Sequence, residues 1–195
     1  SGGMLWLAMI LCMIASIVLG MGLPSTACYI VVATIAAPAM QSMGVPPLAA
    51  HFFAFYYGTM SGVVPPVALT SFTAAGLSGG KPTKVALVGL ALASSGLILP
   101  FFFVYNPILL GINFSWGPFL YTMTLAGVGI FALSVSFMGM WRSKLPVWER
   151  FLFLLVGIML VNPLQTGHIL ALAAFAVLTF LHFVFSKKRQ VLAVG

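Results

Sequence analysis

The sequence predicts an all-α integral membrane protein, and three observations carry that prediction. Of the 195 residues, 62% are hydrophobic and only 5% are charged, against about 25% charged in a soluble domain. The chain therefore cannot cover a water-facing surface. Its apolar runs are continuous and rich in Leu, Ala, Val and Gly, whereas strands of a membrane barrel would alternate polar and apolar residues. Helices are then the way to satisfy the backbone in lipid. Finally, every Lys and Arg falls in one of three clusters: Lys81 and Lys84; Arg142, Lys144 and Arg150; and Lys187 to Arg189. Short basic clusters between apolar runs report membrane orientation. The net charge of +7 is thus not the basic stripe of a nucleic-acid binder.

The elements follow in order. Met4 to Leu19 is apolar, Gly20 to Thr26 interrupts it, and Ala27 to Met43 is apolar again. Each arm reaches about 24 Å at helical rise, short of a core of about 30 Å, and the connection carries no charge. Residues 4–43 are therefore expected to form a re-entrant helical hairpin with its tip buried near the midplane, rather than two crossings. After the turn Gly44 to Pro47, residues 48–77 read as one discontinuous transmembrane helix, interrupted at Ser61 to Val67. Its halves are expected to run from Leu48 to Ser61 and from Pro66 to Leu77. Together, 1–84 are expected to be transport-domain elements closed by a polar loop at 78–84. Residues 85–140 are expected to hold two transmembrane helices, the first a full span from Val85 to Leu110. Residues 141–195 read as a basic interfacial loop and a C-terminal helical hairpin whose last span, Ile169 to Ser186, is stopped by Lys187 to Arg189. About four transmembrane helices thus follow the discontinuous one. If the spans are as drawn, loops 78–84, 141–150 and 187–189 share the cytoplasmic side. No basic leader precedes the first apolar run, and the chain is expected to be a piece of something longer or a processed product.

The two early interruptions carry the chemistry. Gly20 and Gly22 suit the end of a first arm. Pro24, Ser25 and Thr26 suit the start of a second, where Ser and Thr cap free N–H groups and Pro fits the first turn. A helix C-terminus attracts a cation and a helix N-terminus an anion. At the second interruption Pro65 lacks an N–H, so the Ser61 carbonyl loses its helical partner, and Pro66 does the same for Gly62. Interrupted helices whose half-ends face an ion and an anionic substrate are the secondary-transporter pattern. The hydroxyls of Ser25, Thr26, Thr59 and Ser61 suit Na⁺, and no Asp or Glu lies in any span to relay protons. The candidate Na⁺-binding residues are Gly20, Gly22, Ser25, Thr26, Thr59, Ser61 and Gly62. The candidate substrate-facing residues are Pro24, Ser25, Thr26, Pro65 and Pro66. No catalytic residue, transition metal or organic cofactor is expected.

The stretches "LGMGLPSTACYIVVATIAAPA" and "GVPPLAAHFFAFYYGTMSGVVPPVALTSFTAAGLSG" resemble the large membrane subunit of the tripartite ATP-independent periplasmic (TRAP) transporters, most of all the fused permeases. The resemblance covers Ser1 to about Leu110. It implies a Na⁺-coupled, elevator-type importer of small organic acids built from two inverted repeats and served by a periplasmic substrate-binding protein in the bacterial inner membrane. By that resemblance, Gly20 to Thr26 is the tip of the second hairpin and Thr59 to Pro66 the break of its paired helix, with one Na⁺ site between them. The N-terminal half of the permease is missing, so the isolated chain is not expected to transport. The family's common Thr pair at the tip is here Ser25-Thr26.

Other residues are read more plainly. Cys12 and Cys28 are expected to be buried free thiols. His51 is expected at the membrane interface and His168 in a loop, with His182 snorkelling towards the basic tail. Glu149 is expected to pair weakly with Arg150. Two other function classes compete. One is a non-transporting scaffold or assembly subunit. The other is an intramembrane serine hydrolase using Ser61 with His51 or His168, which needs the base within hydrogen-bond reach.

Overall fold

The computed structural model describes residues 4–141, 143–161 and 167–192. The chain divides into two compact units, Ser1–Ser115 and Trp116–Gly195, so the division falls within the stretch 85–140. Among the described residues there is no strand, only an isolated bridge between Met140 and Lys144.

The first unit opens with α1 (Leu5–Gly20) and α2 (Ser25–Gln41), followed by α3 (Pro47–Met60) and α4 (Leu69–Ser78). The two arms are antiparallel neighbours joined by the short tip at 21–24, and both pack on α3. Small side chains make this possible. Ala36 and Ala37 of α2 and Ala49, Ala50 and Ala54 of α3 are all buried, and helices with such faces approach closely enough for backbone-level van der Waals packing in lipid. Met9, Met40, Phe53 and Tyr57 fill the remaining core.

The element ends differ from expectation at both interruptions. The second arm begins at Ser25, not Ala27, because Pro24 takes the position just before the helix and its carbonyl accepts the Cys28 N–H at 2.9 Å. The second half of the discontinuous helix begins at Leu69, not Pro66. Residues 61–68 form a loop, closed by a bond from the Ala68 N–H to the Val64 carbonyl at 3.3 Å.

Val85 to Leu110 is not one span. Helix α5 (Pro82–Ala93) is followed by a 3₁₀ turn at Gly96–Ile98 and by α6 (Leu99–Tyr105), and the segments are bent by 54°. Pro100 supplies the reason, since without an N–H it cannot continue the helical ladder back to Gly96. The Gly96 carbonyl accepts the Leu99 N–H instead, and the Tyr57 hydroxyl donates to the Leu97 carbonyl. Another 3₁₀ turn, Pro107–Leu110, follows, and Gly111 in the left-handed conformation (φ 80°) ends it.

The second unit holds α7 (Trp116–Met138), α8 (Val147–Val161) and α9 (His168–Leu192). Helix α7, with 23 residues, is the one described helix long and apolar enough to cross a bilayer unaided; α5 with the segment 96–105 passes as a bent pair. Packing of α7 on α8 dominates, and α9 lies against α8. His168, Ala171, Phe175, Leu178 and His182 follow one another at spacings of three and four, the seam by which α9 packs. Helix α9 continues through Lys187 to Arg189 to Leu192. Lys and Arg are good helix formers, so the basic cluster does not end the helix. His168 is the first residue of this helix rather than part of a loop. Asn162 to Thr166, the polar part of the predicted reversal, lie outside the described residues.

Candidate functional site

The site is built from the ends of α1 and α3. Gly20 is the last residue of α1, and Ser61 directly follows α3. A Cβ placed on Gly20 would lie 2.6 Å from Cys28 Sγ, 2.7 Å from Ser61 Oγ and 2.8 Å from the Gly58 carbonyl oxygen. One placed on Gly58 would lie 2.8 Å from the same Sγ. At Gly20 the clash includes α3 backbone, whereas at Gly58 only the thiol would have to shift, so the two helix ends approach to backbone contact with the Cys28 thiol beside them. The tip also lies near the loop after α3, since a Cβ placed on Gly22 would be 3.8 Å from Val67 Cγ1. The tip at Gly20 and the break at Ser61, 41 residues apart in sequence, are therefore one local structure.

The two tip glycines do different jobs. Gly22 has φ 78° and supplies the left-handed turn between the arms. Gly20 is helical and supplies space. Ser25 and Thr26 open α2 on an exposed surface, no side chain caps this helix, and neither hydroxyl has a protein partner among the described residues. Helix α2 therefore presents its first-turn N–H groups and two hydroxyls together.

At the break, the Ser61 and Thr59 hydroxyls donate to carbonyls one turn back: Ser61 Oγ to Gly58 at 2.5 Å and Thr59 Oγ1 to Tyr56 at 2.9 Å. Each oxygen keeps its lone pairs for another partner. The Ser61 carbonyl has no partner among the described residues, as expected with Pro65 four residues on. Gly62 differs. Its carbonyl loses its helical partner to Pro66 but accepts the Thr70 N–H at 3.0 Å and the Thr70 hydroxyl at 2.6 Å. Both lone pairs are used, so the carbonyl expected to be free is not. The Pro65–Pro66 peptide bond is cis, and Ala68 takes φ 35° just before α4.

Sequence reasoning missed Cys28, Gly58 and Thr70. The signal for the first two was spacing: Gly58 lies three residues before Ser61, and Cys28 lies one turn beyond the tip. It also missed the interruption at 94–100, visible as Ser94-Ser95-Gly96 followed by Pro100. There Tyr57 bonds the Leu97 carbonyl, and a Cβ on Gly96 would lie 2.8 Å from the Tyr56 hydroxyl.

The histidines lie elsewhere. His51 Nδ1 is 3.1 Å from the Tyr29 hydroxyl, lining a cavity of about 200 Å³ with Leu48, Phe52 and Phe55. His168 Nδ1 is 3.4 Å from the Tyr121 hydroxyl, within the second unit. His51 is ten residues before Ser61 (about 15 Å along a helix), and the Ser61 hydroxyl donates to its own helix. No serine–histidine pair is formed among these residues.

Two further expectations are corrected. His182 does not snorkel: it is 1% exposed and lies 2.8 Å from Glu149 Oε2. Arg150 bonds the Ser136 carbonyl at 3.0 Å and the Phe137 carbonyl at 3.1 Å. A buried carboxylate finds its partner across the helix interface, because its sequence neighbour on a helix points elsewhere.

Apolar helices interrupted at glycine and proline, with their C-terminal ends brought together, define a membrane-transporter type of architecture. A family model described as "Tripartite ATP-independent periplasmic transporter, DctM component" matches residues 1–117. The chain belongs to this family, whose members are membrane-integral transporter components and not enzymes. The match covers the first unit and ends two residues into the second. No curated protein and no solved structure matches the chain.

Proposed function

We propose that the chain is part of a Na⁺-coupled importer of small organic acids. It works by an elevator mechanism, with Na⁺ held between the hairpin tip 20–26 and the helix break 59–66. The observation that carries this reading is the convergence of two helix C-termini at Gly20 and Ser61. Each contributes roughly half a negative charge, so a cation is attracted without any carboxylate. Oxygens with spare lone pairs are those of the Ser61 carbonyl and the Ser61, Thr59, Ser25 and Thr26 hydroxyls. Gly20 and Gly22 contribute shape and backbone, and Gly62 is the weakest candidate because Thr70 holds its carbonyl. The α2 N-terminus with Pro24, Ser25 and Thr26 faces the organic-acid carboxylate, and Pro65 and Pro66 border it.

Family members generally work with a substrate-binding protein and a small membrane component. In this reading the partners are a periplasmic substrate-binding protein and an N-terminal permease half carrying the first repeat. The setting is the bacterial inner membrane, with residues 78–84, 141–150 and 187–189 on the cytoplasmic side. The test is uptake by the full-length permease in proteoliposomes, with its binding protein and an imposed Na⁺ gradient. Ser25→Ala/Thr26→Ala is expected to lower uptake at least tenfold at limiting Na⁺ and to raise the Na⁺ concentration for half-maximal rate. Uptake indifferent to Na⁺, or unchanged in the double variant, refutes the site and favours a scaffold role.

A further inference from the structure

Glu149 is the single acidic residue of the sequence, and it is buried. It stands in the first turn of α8, where a carboxylate suits the helix dipole. Its Oε2 is 2.8 Å from Nδ1 of His182 on α9, with the two side chains 3% and 1% exposed. The Trp141 indole, from the loop between α7 and α8, lies parallel to the imidazole at 9° with ring centroids 5.5 Å apart. Three elements thus converge on one ionisable ring that has no access to water.

We propose that Glu149, His182 and Trp141 form a proton-operated latch between α8 and α9. A proton on His182 closes it, and loss of that proton loosens α9 around His182. With the proton, imidazolium meets a carboxylate in a charge-assisted hydrogen bond and an aromatic face in a cation–π contact. Without it, a neutral imidazole N–H still donates to the carboxylate, but the buried charge of Glu149 is no longer balanced by the ring. The second ring nitrogen, Nε2, is buried without a partner among the described residues, as is Thr179 Oγ1 one turn earlier. Because Nε2 is sealed, the proton enters or leaves only when α9 moves.

The other charges facing the latch are cations. Arg150 of α8 is turned to the Ser136 and Phe137 carbonyls. The loop between α7 and α8 contributes Lys144. Among the residues whose side chains are described, α9 adds no charge beyond His182, and α7 has no charged residue in its sequence. The site is a local latch and not a proton path, since Leu178, Phe175 and Ala171 separate it from His168 along the seam.

The test uses the full chain in nanodiscs with Trp6, Trp116 and Trp148 replaced by Phe, so that Trp141 alone emits. Its emission and the amide exchange of α9, corrected for intrinsic rates, are followed from about pH 5 to about pH 8, where histidines titrate. The expected result is a one-proton step in emission, quenched on the acid side. Amides near His182 should be about tenfold better protected at the acid end, a factor typical of one hydrogen bond to a charged group. His182→Gln removes both steps. Glu149→Gln leaves no counter-charge for the imidazolium and loses the protection step. A wild-type emission that does not titrate, protection that is flat or rises with pH, or a protection step that survives Glu149→Gln overturns the proposal. If His182→Gln does not fold, the wild type and Glu149→Gln decide it.

Discussion

Gly20→Ala is the sharpest test of the meeting between tip and break. Helix propensity alone favours the change, since Ala in place of a helical Gly gains up to about 1 kcal/mol. Packing opposes it. The new Cβ would sit 2.6 Å from Cys28 Sγ, 2.7 Å from Ser61 Oγ and 2.8 Å from the Gly58 carbonyl. The first two atoms can shift, but the third is backbone and carries α3 with it. Overpacking of this kind costs about 1–3 kcal/mol, so the expected net loss is about 1–2 kcal/mol. At about 2–4 °C per kcal/mol for a chain of this size, the melting temperature in detergent falls by about 2–8 °C. Gly76→Ala is the control: it is helical and has nothing within 4 Å of the added carbon, so it should gain up to about 1 kcal/mol. Adding Cys28→Ala to Gly20→Ala should recover part of the loss. A Gly20→Ala protein as stable as Gly76→Ala would refute the close approach, and with it the convergence on which the ion site rests.

Two further outcomes follow from the break. Thr70→Val removes one of two donors to the Gly62 carbonyl and should cost about 0.5–1.5 kcal/mol, read as a lower melting temperature with the fold retained by circular dichroism. At Ala68, fully buried with φ 35°, Val should cost at least about 2 kcal/mol, because a branched side chain is both overpacked and strained in the left-handed region. Gly should stay within about 1 kcal/mol of wild type, since relief of backbone strain offsets the lost methyl. Chemical denaturation of both variants separates the two.

What the sequence revealed, and what it hid, divides along a physical line. Covalent constraints could be read directly. Pro65 and Pro66 cannot donate, Gly22 allows a left-handed turn, and both interruptions were found where those residues stand. Partner choice could not be read. That Thr70 would cap Gly62 depends on how the loop 61–68 folds back, and nothing local encodes it. The interruption before Pro100 carried the same proline signal, but the apolar residues around it made Val85 to Leu110 read as one span. Glu149 was assigned to its sequence neighbour, although residues one apart on a helix do not face each other. Its true partner lies 33 residues on, in a different helix.

The corrections sharpen the proposed ion site. A site with no carboxylate must draw its attraction from dipoles, and dipoles act at short range, falling off within the last turn of a helix. Distance between the helix ends is then the controlling variable, more than the identity of any one oxygen. The three small residues at the crossing, Gly20, Gly58 and Ser61, set that distance. The Ser61 and Thr59 hydroxyls bond back to their own helix, which fixes their rotamers while leaving oxygen lone pairs for an ion. Thr70 removes Gly62 from the donor set by occupying it. What remains is a short list of neutral oxygens at two converging negative ends, with the open N-terminus of α2 alongside. A cation and a carboxylate bound there would each relieve the other's desolvation, and this gives coupling between them a physical origin that no single residue supplies.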